Sequence, residues 1–396
     1  MSNNNLYTSA KRLENINFSP VRKVLNRGRE LEAAGQQVIH LEIGEPDFDT
    51  PQPIVDATVH ALEIEKLTHY GSNNGLKHLR ENIANNMVKA KGVAVNPDQV
   101  LITLGAAEAI FLSIVALINP GDEVIIFSPA FMNYVNCVQI AGGVPVIIPL
   151  REDNEFQIDP SELEKAISAK TRMVIINNPH NPTGAVYEKS ILEKLAQISV
   201  EQNLLVVSDE IYDSIIYPGT FHYAMASFPG LRERTITING FSKTYAMTGW
   251  RLGYLVAEEQ LMPSFLKLHQ YVATCAPTFI QAGAANGMLA SEQIIKDMVS
   301  IFKKRRDILI ESLNSINGLS CVNPQGAFYA LVNVKALGIK EVVFAEKLLE
   351  EKGVAVVPAT GFGQSGEGYI RISYATSEVN IQAGLAKIRE FVKELS

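Results

Sequence analysis

The chain has 396 residues, 47% of them hydrophobic and 19% charged, and a formal net charge of −7. That length exceeds what a single core usually serves, so a large domain with a smaller companion is expected. The composition suits a folded globular chain, and the acidic balance argues against a general nucleic-acid binder, which needs cations to neutralise phosphates.

In chain order, Ser19 and Pro20 open an amphipathic segment that stops at Gly35. Serine as cap, proline at the first turn and glycine as stop predict a helix. The extended stretch VIHLEIGEPDF comes next. From residue 99 short apolar runs alternate with longer amphipathic segments. The runs are 100–103, 124–127, 144–148, 173–176, 204–207 and 235–238. Pro145 marks the third as a strand start or an edge strand. AEAIFLSIVALIN and EKSILEKLAQISVEQN lie between the runs and have helical periodicity. This alternation predicts an α/β fold with a mostly parallel sheet buried on both faces. After about residue 290 comes one long amphipathic helix, SEQIIKDMVSIFKKRRDILIESLNSI, and then shorter signals. The expected division is 45–289 for the large domain, and 1–44 with 290–396 for a smaller α/β domain.

The cysteines, Cys137, Cys275 and Cys321, are far apart and odd in number, which points to a reducing, cytoplasmic setting. The seven histidines follow no ligand spacing, so no metal is expected. The polar N-terminal stretch lacks the apolar core of a secretory signal. No run reaches the roughly 18–20 apolar residues that span a bilayer, so no membrane contact is expected. Asn17-Phe18-Ser19 before Pro20 reads as a chance sequon.

Open α/β sheets bind ligands beyond the carboxyl ends of their strands. Gly105-Ala106-Ala107 follows the first run and opens a helix, and Phe131 follows the second. NNPHNPTG, with Asn181, follows the fourth, Asp209 and Tyr212 follow the fifth, and Lys243 follows the last. Together they suit a cofactor with an aldehyde, a phosphate and a protonatable ring nitrogen. A desolvated lysine amine forms a Schiff base, and a carboxylate keeps a ring nitrogen protonated. A small-residue turn opening a helix offers N–H groups to phosphate, an arginine clamps it, and an aromatic ring supplies a stacking face. Singly, each residue also has a plainer reading. Lys243 is a solvated charge, Asp209 a helix cap, Phe131 core, Asn181 a turn former, and Arg371 an exposed strand residue.

The residues Gly240-Phe241-Ser242-Lys243, Ala246-Met247, Gly249 and Arg251-Leu252-Gly253 resemble the lysine signature of the pyridoxal-phosphate-dependent class I/II aminotransferases. NNPHNPTG, SDEIYD and GYIRISYATS resemble that family in the same order, from about Phe18 to the C-terminus. The nearest likeness is to the prokaryotic aspartate/aromatic branch, of fold type I. The resemblance implies that Lys243 holds pyridoxal 5′-phosphate and moves the proton between Cα and C4′. It implies that Asp209 pairs with the ring nitrogen, that Tyr212 and Asn181 hydrogen-bond the ring's phenolic oxygen, and that Phe131 stacks. Ala106 and Ala107 N–H groups, after Gly105, would hold the phosphate with Arg251 and Ser242. Arg371, Gly44 and Asn181 would meet the substrate, Arg371 at its α-carboxylate. Tyr70 would reach the phosphate of a neighbouring subunit, implying a homodimer with shared active sites.

The chain departs from the family in having Gly240 and Gly105-Ala106-Ala107 where hydroxyl residues are common. Ala107 also replaces a basic residue found in some aspartate-preferring relatives. The expected activity is transfer of an amino group from an L-amino acid to a 2-oxo acid, 2-oxoglutarate by resemblance, in a ping-pong cycle. Aromatic, aspartate and aliphatic donors stay open, with a lean to aromatic or broad specificity. The alternatives are a carbon–sulfur β-lyase or related elimination on the same cofactor, and a non-enzymatic regulator. Gly361-Phe362-Gly363-Gln364-Ser365-Gly366 matches GxGxxG, but a predicted strand rather than a helix comes after it, which argues against a dinucleotide site.

Overall fold

The computed structural model describes residues 9–395, so the start of the polar N-terminal stretch, 1–8, lies outside the described residues. All six predicted runs are strands of one sheet. They are β1 (Val100–Thr103), β2 (Glu123–Ser128), β3 (Val144–Pro149), β4 (Thr171–Asn177), β5 (Leu205–Asp209) and β6 (Thr235–Gly240). A seventh strand, β7 (Gly253–Val256), was not expected. Only four residues long and opened by a glycine, it carries too short a pattern to be read alone. It forms because β1 and β6 each offer it an antiparallel partner.

The spatial order is β1-β7-β6-β5-β4-β2-β3. Strands β2 to β6 run parallel. Helices such as Ala106–Val115 and Lys189–Glu201 cover the sheet. That covering explains why β1 and β6 are buried at every position. β3 pairs only with β2 and is half exposed, the edge placement that Pro145 implies.

The helix at the N-terminal side spans Pro20–Ala33. Ser19 sits at its cap position but makes no side-chain capping bond, contrary to the serine-cap reading. The stretch expected to be extended is strand only at Ile39–His40, paired in parallel with Val354–Ala355. The long helix is Glu292–Asn314. It packs Phe302, Leu309 and Leu313 into a core with Phe328, Ile370 and Ile372. Those last residues belong beside or within a four-stranded antiparallel sheet, ordered Val357–Pro358, Tyr369–Ser373, Tyr329–Asn333 and Ser320–Cys321. The GxGxxG segment forms two short 3-10 turns and runs into strand Tyr369–Ser373, with no α-helix to receive a dinucleotide. Among the described residues no helix is long and apolar enough to cross a membrane.

Candidate active site

The carboxyl ends of β1, β2, β4, β5 and β6 open on a cavity of ≈ 460 Å³. Of the predicted site residues, Gly44, Ala106, Ala107, Phe131, Asn181, Asp209, Tyr212, Ser242, Lys243, Arg251 and Arg371 all line it. Gly105 lies directly behind Ala106. Its φ is +85°, and a Cβ there would meet Arg251 Nη2 at 2.8 Å. A Cβ on Gly253 would meet the Ala106 nitrogen at 2.5 Å. Glycine at both points lets the helix start and Arg251 stand close together. The first N–H groups of that helix have no intrahelical partner, so they and the guanidinium face one small space. Arg251 itself has φ +56° and is tied back to the Thr248 carbonyl at 2.8 Å.

Lys243 Nζ donates to the Gly44 carbonyl at 2.6 Å. Burial lowers its pKa to about 8; Arg371 and Arg251 act the same way, with Glu45 opposing. Near neutral pH a usable share is therefore free amine, the form that attacks a carbonyl. If Lys243 is the anchor that the resemblance implies, the rate of uptake of pyridoxal phosphate by cofactor-free protein should thus rise with pH through a midpoint near 8. Stopped-flow absorbance checks this, and a midpoint at the ordinary lysine value of 10.5 would contradict it.

Asp209 ends β5 and is buried. Its Oδ2 accepts the Tyr134 hydroxyl at 2.6 Å and its Oδ1 the Ile211 N–H at 3.2 Å. Burial raises its pKa to about 6, against the pull of Tyr134 and the Ile211 N–H. A buried carboxylate in this state favours a cation beside it. Tyr212 exchanges a hydrogen bond with the Tyr329 hydroxyl at 2.9 Å, and burial pushes its pKa well up.

Arg371 is 2% exposed, which excludes the open strand face. It donates to Asn181 Oδ1 at 3.3 Å and to the Glu42 carbonyl at 2.5 Å. Its guanidinium lies 4.5 Å from the Tyr329 ring centre and 4.8 Å from that of Phe362. Its Nε is buried with no hydrogen-bond partner. A cation held by two aromatic faces with an unused donor is suited to a planar anion. Phe131 is half-buried and meets Tyr134 edge-on at 5.8 Å.

Tyr70 is not brought to the cavity within one chain. It is 86% exposed and borders a separate cleft with Leu67, Pro277 and Thr278. The lining residues that escaped the sequence reading include Tyr134, Asn177, Tyr329 and Arg22. Asn177 ends β4. It accepts the Asn181 N–H at 2.8 Å and donates to the Asp209 carbonyl at 3.0 Å, joining two site residues. Its place in NNPHNPTG was the one available signal. Arg22 is exposed at the cavity, and no ion pair or side-chain hydrogen bond joins it to the described residues.

The chain matches the family described as aminotransferase class I and II over residues 36–388. It is 42% identical to aromatic-amino-acid aminotransferase 2 of Thermococcus litoralis over 386 residues, covering 97% of this chain and 98% of that one. It is equally 42% identical to an aspartate aminotransferase of Pyrococcus abyssi, with the same coverage. The solved structure of Thermus thermophilus aspartate aminotransferase with maleate superposes with a TM-score of 0.92 at 36% identity, covering 97% of this chain and 99% of that one. With those likenesses added to the lysine, carboxylate and anion cradle converging on one cavity, the chain belongs to the class I and II aminotransferases, which move amino groups by means of pyridoxal 5′-phosphate.

Proposed function

We propose that the cavity takes an L-amino acid and then a 2-oxo acid, 2-oxoglutarate among them, in alternating half-reactions. The observation that carries this is Lys243: a partly buried amine of lowered pKa, in one cavity with a buried carboxylate and an arginine–helix cradle. The residues fit the cofactor, because the cradle at Gly105, Gly253 and Arg251 is one that side chains on those glycines would fill. When bound, pyridoxal phosphate supplies an aldehyde for the amine and a ring that takes up the electrons left when Cα loses its proton. Lys243 Nζ holds the cofactor and then moves that proton. Asp209 keeps the ring nitrogen protonated, and Tyr212 and Asn181 hold the phenolic oxygen. Phe131 would offer the ring a stacking face. Ala106, Ala107, Ser242 and Arg251 hold the phosphate. Arg371 holds the substrate α-carboxylate, and Gly44 lets backbone approach it, since a Cβ there would collide with the Tyr329 hydroxyl.

The same reading makes the protein a cytoplasmic homodimer with shared sites. Supporting this are unpaired cysteines and the exposed Tyr70, Ile64, Tyr271 and Val272, apolar groups that a second copy would cover. It also divides the chain into 45–289 and 1–44 with 290–396, the cavity drawing residues from both parts. No observation favours the elimination alternative.

Arg22 gives the cavity a further cation, with no ion pair to the described residues, which suits the distal carboxylate of a dicarboxylic substrate. Aromatic donors need only the apolar lining, so broad specificity is expected. The test is the visible band of the cofactor-loaded protein. Aspartate and phenylalanine should each bleach it. In Arg22→Gln the aspartate-to-phenylalanine ratio of bleaching rates should fall about 10- to 100-fold, the range of one charge-assisted hydrogen bond. An unchanged ratio removes Arg22 from substrate recognition. The absence of any band, or a band that no amino acid alters, overturns the function itself.

A further inference from the structure

Behind the cavity, the turn that carries Asp209 and Tyr212 is gripped by one buried cation. Lys91 is the last residue of helix Lys77–Lys91, and its side chain is 6% exposed. Its Nζ stands 2.6 Å from Glu210 Oε2 and 2.5 Å from Asp213 Oδ2. Along residues 209–213 the chain shows two faces. Asp209, Ile211 and Tyr212 line the cavity, whereas Glu210 and Asp213 do not. Lys91 therefore bridges both ends of the back face.

Each carboxylate is anchored again. Glu210 Oε1 accepts the Ser208 hydroxyl at 3.0 Å and the Met225 N–H at 3.3 Å. Asp213 accepts the Asn239 side-chain amide at 2.8 Å, and Asn239 lies in β6, four residues before Lys243. His222 Nε2 sits 3.8 Å from Glu210, buried and without a hydrogen-bond partner, and burial lowers its pKa. With His222 neutral, two carboxylates face one ammonium. Glu210 already pushes the Asp209 carboxyl upward. Without Lys91, both carboxylates would be buried without their cation, next to the group that must stay ionised.

We propose that Lys91 is a positioning residue for transamination: it holds the 209–213 turn from behind, so that Asp209 and Tyr212 keep their places, and it offsets the charges of Glu210 and Asp213. This rests on the reading of Asp209 and Tyr212 as groups that hold the cofactor. Removing the cation leaves uncompensated negative charge near the cofactor, which favours protonated forms there. The pH midpoint of the visible band must then move up.

The experiment compares wild type, Lys91→Met, Lys91→Arg, Asp213→Asn and Tyr212→Phe, each loaded with pyridoxal phosphate. In Lys91→Met the band midpoint should rise by about one pH unit. The cofactor dissociation constant should rise, and kcat should fall, each about 10- to 100-fold as for other outer partners of a site, with KM for the amino donor little changed. Lys91→Arg should restore the midpoint, since it keeps the charge. Asp213→Asn, which breaks half the grip, should weaken cofactor binding, and it decides the matter if Lys91→Met fails to fold. A folded Lys91→Met with wild-type midpoint and cofactor affinity overturns the inference, as does an unaffected Asp213→Asn when Lys91→Met does not fold. A Tyr212→Phe protein with an unshifted band would overturn instead the role of Tyr212 on which the inference rests.

Discussion

Lys243→Ala is expected to lower kcat by about 10⁴-fold, the upper end of what a positioned acid–base group contributes. Among the described residues no other amine lines the cavity: its remaining cations, Arg22, Arg251 and Arg371, are guanidiniums. The loss should fall on kcat rather than KM, because the groups proposed to receive the carboxylate, Arg371 and Asn181, are left in place. The fold should survive, since among the described residues the Lys243 side chain makes a single hydrogen bond, to the Gly44 carbonyl. Steady-state kinetics with a thermal melt checks both statements. Retention of a tenth of the wild-type kcat would remove Lys243 from the chemistry.

Asp209→Ala is the second large effect expected. Truncating one member of a buried charge pair costs about 2–5 kcal/mol, so kcat should fall roughly 30- to 5,000-fold. The substitution also strands the Tyr134 hydroxyl, which donates a hydrogen bond to Asp209 Oδ2 at 2.6 Å. Tyr134→Phe isolates that part and should cost far less, because the carboxylate keeps the Ile211 N–H. If Asp209→Ala and Tyr134→Phe lower kcat equally, Asp209 acts only as a structural acceptor and the ring-nitrogen role fails. Cofactor affinity, titrated by absorbance, should fall in Asp209→Ala and hold in Tyr134→Phe.

The parts of the site that were legible from pattern share one property: each comes soon after an apolar run. Parallel strands put their carboxyl ends on one side, so the residues after β1, β2, β4, β5 and β6 had to converge whatever the strand order. Lys243, Asp209, Tyr212, Asn181 and the Gly105 turn were found in this way. Arg371 was placed at the substrate by resemblance. Its local pattern allowed an exposed face, and only its seating between Tyr329 and Phe362 removed that.

What the sequence by itself determined is the α/β class, six of the seven strands in the large sheet, and the residues that end them. Period-two and period-3.6 patterns are local, and so are the turns between them. Only the tertiary structure decided the partners of those residues. Tyr134 meets Asp209 across 75 residues, Tyr329 meets Tyr212 across 117, and Asn181 meets Arg371 across 190. Lys91 reaches Glu210 across 119. β7 exists because it lies between β1 and β6. Strand order and side-chain pairing are set by how the layers pack, and packing brings together groups whose separation along the chain carries no signal of it.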